Sequence, residues 1–214
     1  MIRIDKHKIY ESHGYLFINF VDISKEQKEM ILSWRNSEKV RNMMVNTNPI
    51  SLEEHLKFIE GLKERTDCYY WIVVDPTGVD IGVLDVIHVD YDKDEGEIGY
   101  YINPNEAGMG FEFMKECNFF VFSQLKLRNN LVTVNVNNRD ILLFTKYLGS
   151  SFESIETIGT ESFFVNKHGC GDYLIQHYDE LSLLDYARFV RKYKSINLKM
   201  LQQQLLIENK NIRL

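Results

Sequence analysis

Between Tyr69 and Leu148 the hydrophobic period changes in a fixed order, and that order narrows the fold more than any other feature of the chain. YYWIVV (69–74), IGVLDVIHV (81–89) and EIGYYI (97–102) read as strands, the first two joined by the turn Asp75-Pro76-Thr77-Gly78 into an antiparallel hairpin. The period becomes helical from Gly108 through Leu125, returns to strand at LVTVNV (131–136), and is helical again from Asn138 to Leu148, where Gly149 stops it. Upstream, GYLFINFVD (14–22) reads as a strand. Two capping boxes follow it, Ser24 with Gln27 and Ser51 with Glu54, and each opens an amphipathic helix. FESIETI, ESFFVN and DYLIQHY read as closing strands, the last two joined by a turn at 167–171. Strand, two helices, three antiparallel strands, helix, strand, helix, strands is an α/β order without βαβ alternation, which argues against a doubly wound sheet and a TIM barrel.

Composition narrows the class further. At 214 residues, 44% hydrophobic and 26% charged, the chain can bury a core without a disulfide or structural metal. Cys68, Cys117 and Cys170 are odd in number and lack a CxxC pair, which fits a reducing, cytoplasmic setting rather than a secreted framework or a zinc ribbon. A net charge of −6 offers no footprint for a nucleic-acid backbone. The opening residues lack a signal-peptide pattern, and the longest greasy run, FFVFSQL, is far short of the ~20 residues of a membrane span. Residues 1–180 read as one unit. Residues 181–214, free of glycine and proline, read as an appended helical extension.

Gly108 and Gly110 stand between a strand and an amphipathic helix, in YYINPNEAGMGFEFMKE. Glycines admit close approach of an anion, and unpaired N–H groups at the positive end of a helix attract it. The same glycines also serve a plain tight turn into a helix. Neither GxxxxGK[ST] nor a GxGxxG after a first βαβ strand occurs, and no His/Cys/Asp group has metal-ligand spacing.

From Ile23 to about Tyr178 the chain resembles the GCN5-related N-acetyltransferase (GNAT) superfamily. Its pyrophosphate loop, Q/R-x-x-G-x-G/A, is matched by Asn105-Glu106-Ala107-Gly108-Met109-Gly110, with Asn in first place. EIGYYINP resembles the strand that splays from its neighbour and bonds the pantetheine arm through main chain. VNVNNRDILLFTKYLG resembles the later N-x-x-A-x-x-x-Y-x-x-x-G segment. Within the superfamily, Trp34-Arg35-Asn36, Met43-Met44, Ile50-Ser51-Leu52, His55-Leu56 and Phe58-Ile59-Glu60 are most similar to the pseudaminic acid branch, whose members acetylate the 4-amino group of a UDP-linked 4-amino-4,6-dideoxy sugar.

The resemblance implies a GNAT fold, a central mixed and mostly antiparallel sheet flanked by helices. It implies acetyl-CoA as co-substrate, held by Asn105, Ala107, Gly108, Met109, Gly110 and Asn138, with main-chain N–H groups of Tyr101, Ile102 or Asn103 meeting the oxyanion. Glu97 is then the carboxylate that deprotonates the amine, or else a solvent-facing edge glutamate. The tyrosine position of the later motif holds Thr145, a far weaker acid than a phenol. Thr145 therefore bonds the CoA sulfur, solvent protonates the thiolate, or another residue does. Tyr147 lies about 200° round the helix.

For the acceptor the resemblance points to Met43, Met44, His55 and the Tyr100–Tyr101 pair. The methionines serve equally as core, and His55 as a half-buried histidine on its apolar stripe. His88, alternating with Leu84 and Val86, faces cleft or solvent, and Asp85 the other side. The tail stripe Leu183, Leu184, Tyr186, Ala187, Val190 and Tyr193 packs on its own domain or makes a homodimer. The expected activity is acetyl transfer to the amine of a nucleotide-linked amino sugar. The rivals are a ribosomal-type protein N-acetyltransferase, favoured by an acidic cleft, and a catalytically idle CoA-binding module.

Overall fold

In the computed structural model, which describes residues 4–106, 108–158, 161–168 and 171–212, the apolar run 69–102 forms three adjacent antiparallel strands near the middle of an eight-stranded sheet. These are β3 (Tyr69–Val74), β4 (Asp80–Asp90) and β5 (Glu95–Ile102). On one side β1 (Tyr10–Ser12) and β2 (Tyr15–Asn19) extend the sheet; on the other lie β6 (Asn129–Asn135), β8 (Glu161–His168) and β7 (Ser151–Ile158), in the order β1-β2-β3-β4-β5-β6-β8-β7. All neighbours are antiparallel except β5 and β6. That parallel pair holds only from Glu95 opposite Asn129 to Glu97 opposite Leu131; beyond it the strands part.

Strand alternation sorts the helices. Trp71, Leu84, Val86 and Ile98 point to a core shared with Phe113, Phe120 and Phe122 of α4 (Gly110–Ser123) and with Leu142, Leu143 and Phe144 of α5 (Arg139–Tyr147). Ile72 and Val83 point the other way, against Ile31 and Trp34 of α1 (Lys25–Asn36) and Ile59 of α3 (Leu52–Gly61), with the short α2 (Glu38–Arg41) between. Both expected capping boxes start these helices, Ser24 with Gln27 on α1 and Ser51 with Glu54 on α3. At α4 the packing is tightest: a Cβ on Gly82 would lie 2.7 Å from the Phe113 ring, so only glycine lets the helix lie this close to β4. Phe120 sits at the centre of that core, stacked on Phe17 at 4.0 Å and edge-on to Trp71 at 5.6 Å.

Three expectations are corrected. Residues 172–178 are not a strand but α6 (Gly171–His177) followed by a 3₁₀ turn at Tyr178–Glu180. Seven residues are too few to separate the two periods, and β8, with β6 on one side and β7 on the other, leaves no edge for another strand. Leu174 is instead fully buried in the core on the α4 side of the sheet. His88 breaks the alternation of its strand. Its φ of 54° and the register shift between Ile87 and Asp90 turn its ring to Glu97, on the face that Asp85 shares. The tail is two helices, α7 (Leu183–Lys192) and α8 (Leu198–Ile212), rather than one.

Tyr186 of α7 stacks on Phe111 at 5.0 Å and meets Phe144 and Tyr147 edge-on, while Leu201 and Leu205 of α8 are fully buried. Hydrogen bonds tie the tail to the main body in both directions: Lys115 Nζ donates to the Leu181 carbonyl at 3.2 Å and Arg139 Nη2 to the Tyr193 carbonyl at 2.5 Å, while Gln202 Nε2 of the tail donates to the Val136 carbonyl at 2.8 Å. The aromatic part of the stripe is thus covered by its own domain. Leu183 and Leu184 remain exposed.

The Phe120→Ala variant is expected to lose about 3–5 kcal/mol of unfolding free energy, because a buried ring is removed from a core that cannot fully collapse. Urea denaturation checks this as a lowered midpoint with an unchanged slope.

Candidate active site

The parting of β5 and β6 opens a cleft of about 800 Å³ that runs through the sheet from the α4–α5 side to the α1–α3 side. On the first side it is lined by Gly108 and Gly110, by Val132 to Asn135 of β6, and by Asn138 and Ile141. On the second it is lined by Arg35, Met43, Met44, His55, Phe58, Tyr70 and Asp85. Residues 98–103 of β5 form the wall common to both.

The α4–α5 side is built from backbone. Gly108 has a φ of +84°, a region other residues rarely adopt, and this turns the chain into α4. Met109 is the N-cap of α4 but no side chain caps the helix, and the first turn's N–H groups have no intrahelical acceptor. Such a bare N-terminus is a site for an anion. A Cβ on Gly110 would meet Ile102 Cδ1 at 3.5 Å, ordinary contact, so this glycine is not demanded by the protein's own packing. Asn103 closes β5 with a side-chain acceptor for the Asn105 N–H at 3.0 Å, and Asn105 itself is exposed outside the cleft. Asn138 lines the cleft and caps α5 by accepting from the Ile141 N–H. Ala107 lies outside the described residues.

Along β5 the N–H groups alternate in direction. That of Asn103 donates to the Ile81 carbonyl at 2.9 Å, so the N–H of Tyr101 also turns toward β4. Those of Ile102 and Tyr100 turn toward the gap. Of the three expected oxyanion donors, Ile102 alone is so aimed.

Thr145 is fully buried and absent from the cleft wall; its hydroxyl donates to the Ile141 and Leu142 carbonyls, both at 3.0 Å. It back-bonds its own helix, on the face turned to the core. Tyr147 packs against Tyr186 and Phe189. Glu97 also lies outside the cleft lining, with its carboxylate 3.1 Å from His88 Nδ1, and His88 is largely exposed. The Tyr100–Tyr101 pair is split by alternation: Tyr100 turns its ring to Phe113 on the α4 side, while Tyr101 faces the α1–α3 side. His55 is buried, and since a carbonyl can only accept, its Nε2–H donates to that of Lys28 at 3.0 Å. Burial holds its imidazole below the usual range.

Two charged groups to which the sequence assigned no role stand on the α1–α3 side. Arg35 donates through Nη2 to the Asn46 carbonyl at 2.7 Å, while Nη1 is buried with no partner among the described residues. Asp85 projects from the centre of β4, its carboxylate without a hydrogen-bond partner among the described residues, and burial, with the Glu97 charge second, pushes its pKa up to about 7. Opposite it, a Cβ on Gly99 would fall 2.7 Å from both carboxylate oxygens, so the glycine is the space the carboxylate occupies. The signal was present in the sequence. An aspartate inside the apolar run IGVLDVIHV is a charge placed where a strand is buried.

Residues 18–149 match the family model described as Acetyltransferase (GNAT) domain. A Campylobacter jejuni protein named Acetyltransferase PseH is 31% identical over 124 residues, 58% of this chain and 76% of the relative; a second strain's PseH is 30% identical over 109 residues. The crystal structure of Campylobacter jejuni PseH in complex with acetyl coenzyme A superposes with a TM-score of 0.57 at 22% identity, covering 72% of this chain and 96% of that one. Spermidine N-acetyltransferase from Vibrio cholerae, solved with CoA and spermine, superposes at 0.64 with 14% identity, covering 75% and 99%. With the matched segment spanning the splayed strands and the bare helix N-terminus, the chain belongs to the GNAT acetyltransferase family, the acyl-CoA-dependent N-acetyltransferases whose co-substrate is acetyl-CoA.

Proposed function

We propose that the protein transfers the acetyl group to the amine of a nucleotide-linked amino sugar of the UDP-4-amino-4,6-dideoxy type, in the cytoplasm, for surface glycan synthesis. The observation that carries this reading is Arg35, whose buried and unpartnered Nη1 lines the acceptor side of the cleft together with Tyr70, Phe58, Met43 and Met44. A guanidinium with a free donor suits a phosphate oxygen. Flat aromatic and thioether surface suits a base and a deoxy-sugar ring. The PseH relatives point the same way.

Donor binding follows from the backbone already described. Pyrophosphate sits at the first turn of α4 with Gly108 and Gly110, and the pantetheine arm runs beside the unpaired edge of β5, where Ile102 offers its N–H. Asn138 closes that side. Cleft water carries the proton to the thiolate, since the Thr145 hydroxyl is spent within α5. A ribosomal-type substrate, with its basic tail, would want an acidic acceptor side; here the Arg35 guanidinium lines that side together with Asp85. No helix among the described residues is long and apolar enough to cross a membrane.

Three outcomes are expected. Calorimetry shows acetyl-CoA binding to the parent and none to Gly110→Trp, whose indole would fill the space before α4. With a UDP-4-amino-4,6-dideoxy sugar, Arg35→Met raises KM by roughly 10–100-fold, the worth of a charged hydrogen bond, and leaves acetyl-CoA affinity unchanged. Turnover by Thr145→Ala stays within a few-fold of the parent; a loss beyond about 100-fold would return Thr145 to the chemistry.

A further inference from the structure

Glu97, the carboxylate that the family resemblance offers as base, is paired with His88 and does not line the cleft. Asp85 does line the cleft, on the same wall as the β5 residues at which the two strands part, one strand away from the edge that opens. Its placement is built rather than incidental. Gly99 leaves out the Cβ that would strike both carboxylate oxygens, and Tyr70 of β3 and Tyr101 of β5 flank it on the same face. We propose that Asp85 is the catalytic residue that takes the proton from the attacking amine. This rests on the acetyl-transfer reading above and deepens it.

The step balances without a further reagent. The neutral amine nitrogen forms a bond to the thioester carbonyl carbon, and its N–H proton passes to the Asp85 carboxylate. Collapse breaks the C–S bond with the electron pair on sulfur. The proton returns from Asp85 through cleft water to that sulfur, leaving amide, thiol and the carboxylate as it began. A carboxyl shifted to about 7 is poised for such an exchange at neutral pH. The titratable groups around it are Cys68 and Tyr70 from β3, Glu97 and Tyr101 from β5 and His88 from β4, with Arg35 of α1 and His55 of α3 lining the same cleft.

The direction of the pH effect follows. Asp85 acts as base only when ionised, so kcat/KM falls as pH drops through about 7. Removing the neighbouring negative charge in Glu97→Gln eases ionisation of Asp85 and moves this acid limb to lower pH.

The experiment uses the full chain with acetyl-CoA and a UDP-4-amino-4,6-dideoxy sugar, read as thiol release. Asp85→Asn is expected to lower kcat by roughly 10²–10⁴-fold and to keep the parent's acetyl-CoA affinity, which also shows that it is folded. Glu97→Gln is expected to lose less and to displace the acid limb downward. Asp85→Asn within five-fold of the parent, or an acid limb that stays put in Glu97→Gln, overturns the proposal. A parent that binds acetyl-CoA but acetylates only another amine, such as spermidine or a peptide, removes the sugar reading alone, and the same two variants are then compared on that amine. A parent that acetylates none of them has them compared on acetyl-CoA hydrolysis, with water in the amine's place and the same two criteria.

Discussion

Two parallel strands that pair for three residues and then separate are the constraint on which the rest of this molecule depends. Buried backbone groups need partners, and a strand edge left open inside a sheet is costly unless water or a ligand meets it. The chain holds the junction by short reach. A Cβ on Gly96 would lie 2.8 Å from Val86 Cγ1, so the pairing begins where β5 is drawn hard against β4. Asn130, opposite Gly96 and fully buried, donates to the Leu127 carbonyl and anchors the entry to β6. Past that point α4 and α5 each begin beside the gap. Their N-termini and the free β5 edge are one site because the strands part there.

The two faces of the sheet then do different work. The α4 side is a slab of phenylalanine and tryptophan that admits no looseness: Phe17, Trp71, Phe113, Phe120 and Phe144 are all fully buried. The α1–α3 side is mixed, with Tyr70, Asp85, Tyr101 and Arg35 among its apolar residues, and all four line the cleft. A rigid face backs a polar one. Charges on the polar face keep their positions because the strands carrying them are fixed from behind.

Much of this was legible in the sequence, for reasons that name themselves. The capping boxes of α1 and α3 are local, and local hydrogen bonds survive any tertiary setting. The strand run 69–102 is long enough for its period to be unambiguous, and Gly108 marks the left-handed turn into α4. What failed was what neighbours decide. Residues 172–178 had the period of a strand but no vacant edge beside β8, and His88 left its alternation because the backbone turns left-handed there. Thr145 had the right count along α5, but the side chain faces the core and bonds its own helix. Asp85 required seeing that Gly99 stands opposite, a pairing fixed by register between two strands and not by spacing within one.

The tail invites a different question, that of the order in which the molecule comes apart. Besides the packing of α8 on β7, its fastenings lie on the elements that begin beside the gap: Lys115 and Phe111 belong to α4, Arg139 and Tyr147 to α5, and Val136 to the link between β6 and α5. A helix pair so attached acts as a splint across the two helices whose N-termini flank the cleft. Among the described residues no hydrogen bond or ring contact joins α7 or α8 to α1, α2 or α3, so fraying that starts in α8 would reach the α4–α5 side of the cleft before the α1–α3 side. Loss of the last thirty residues would then register first as looser packing on the α4–α5 side of the cleft, with the α1–α3 wall still intact.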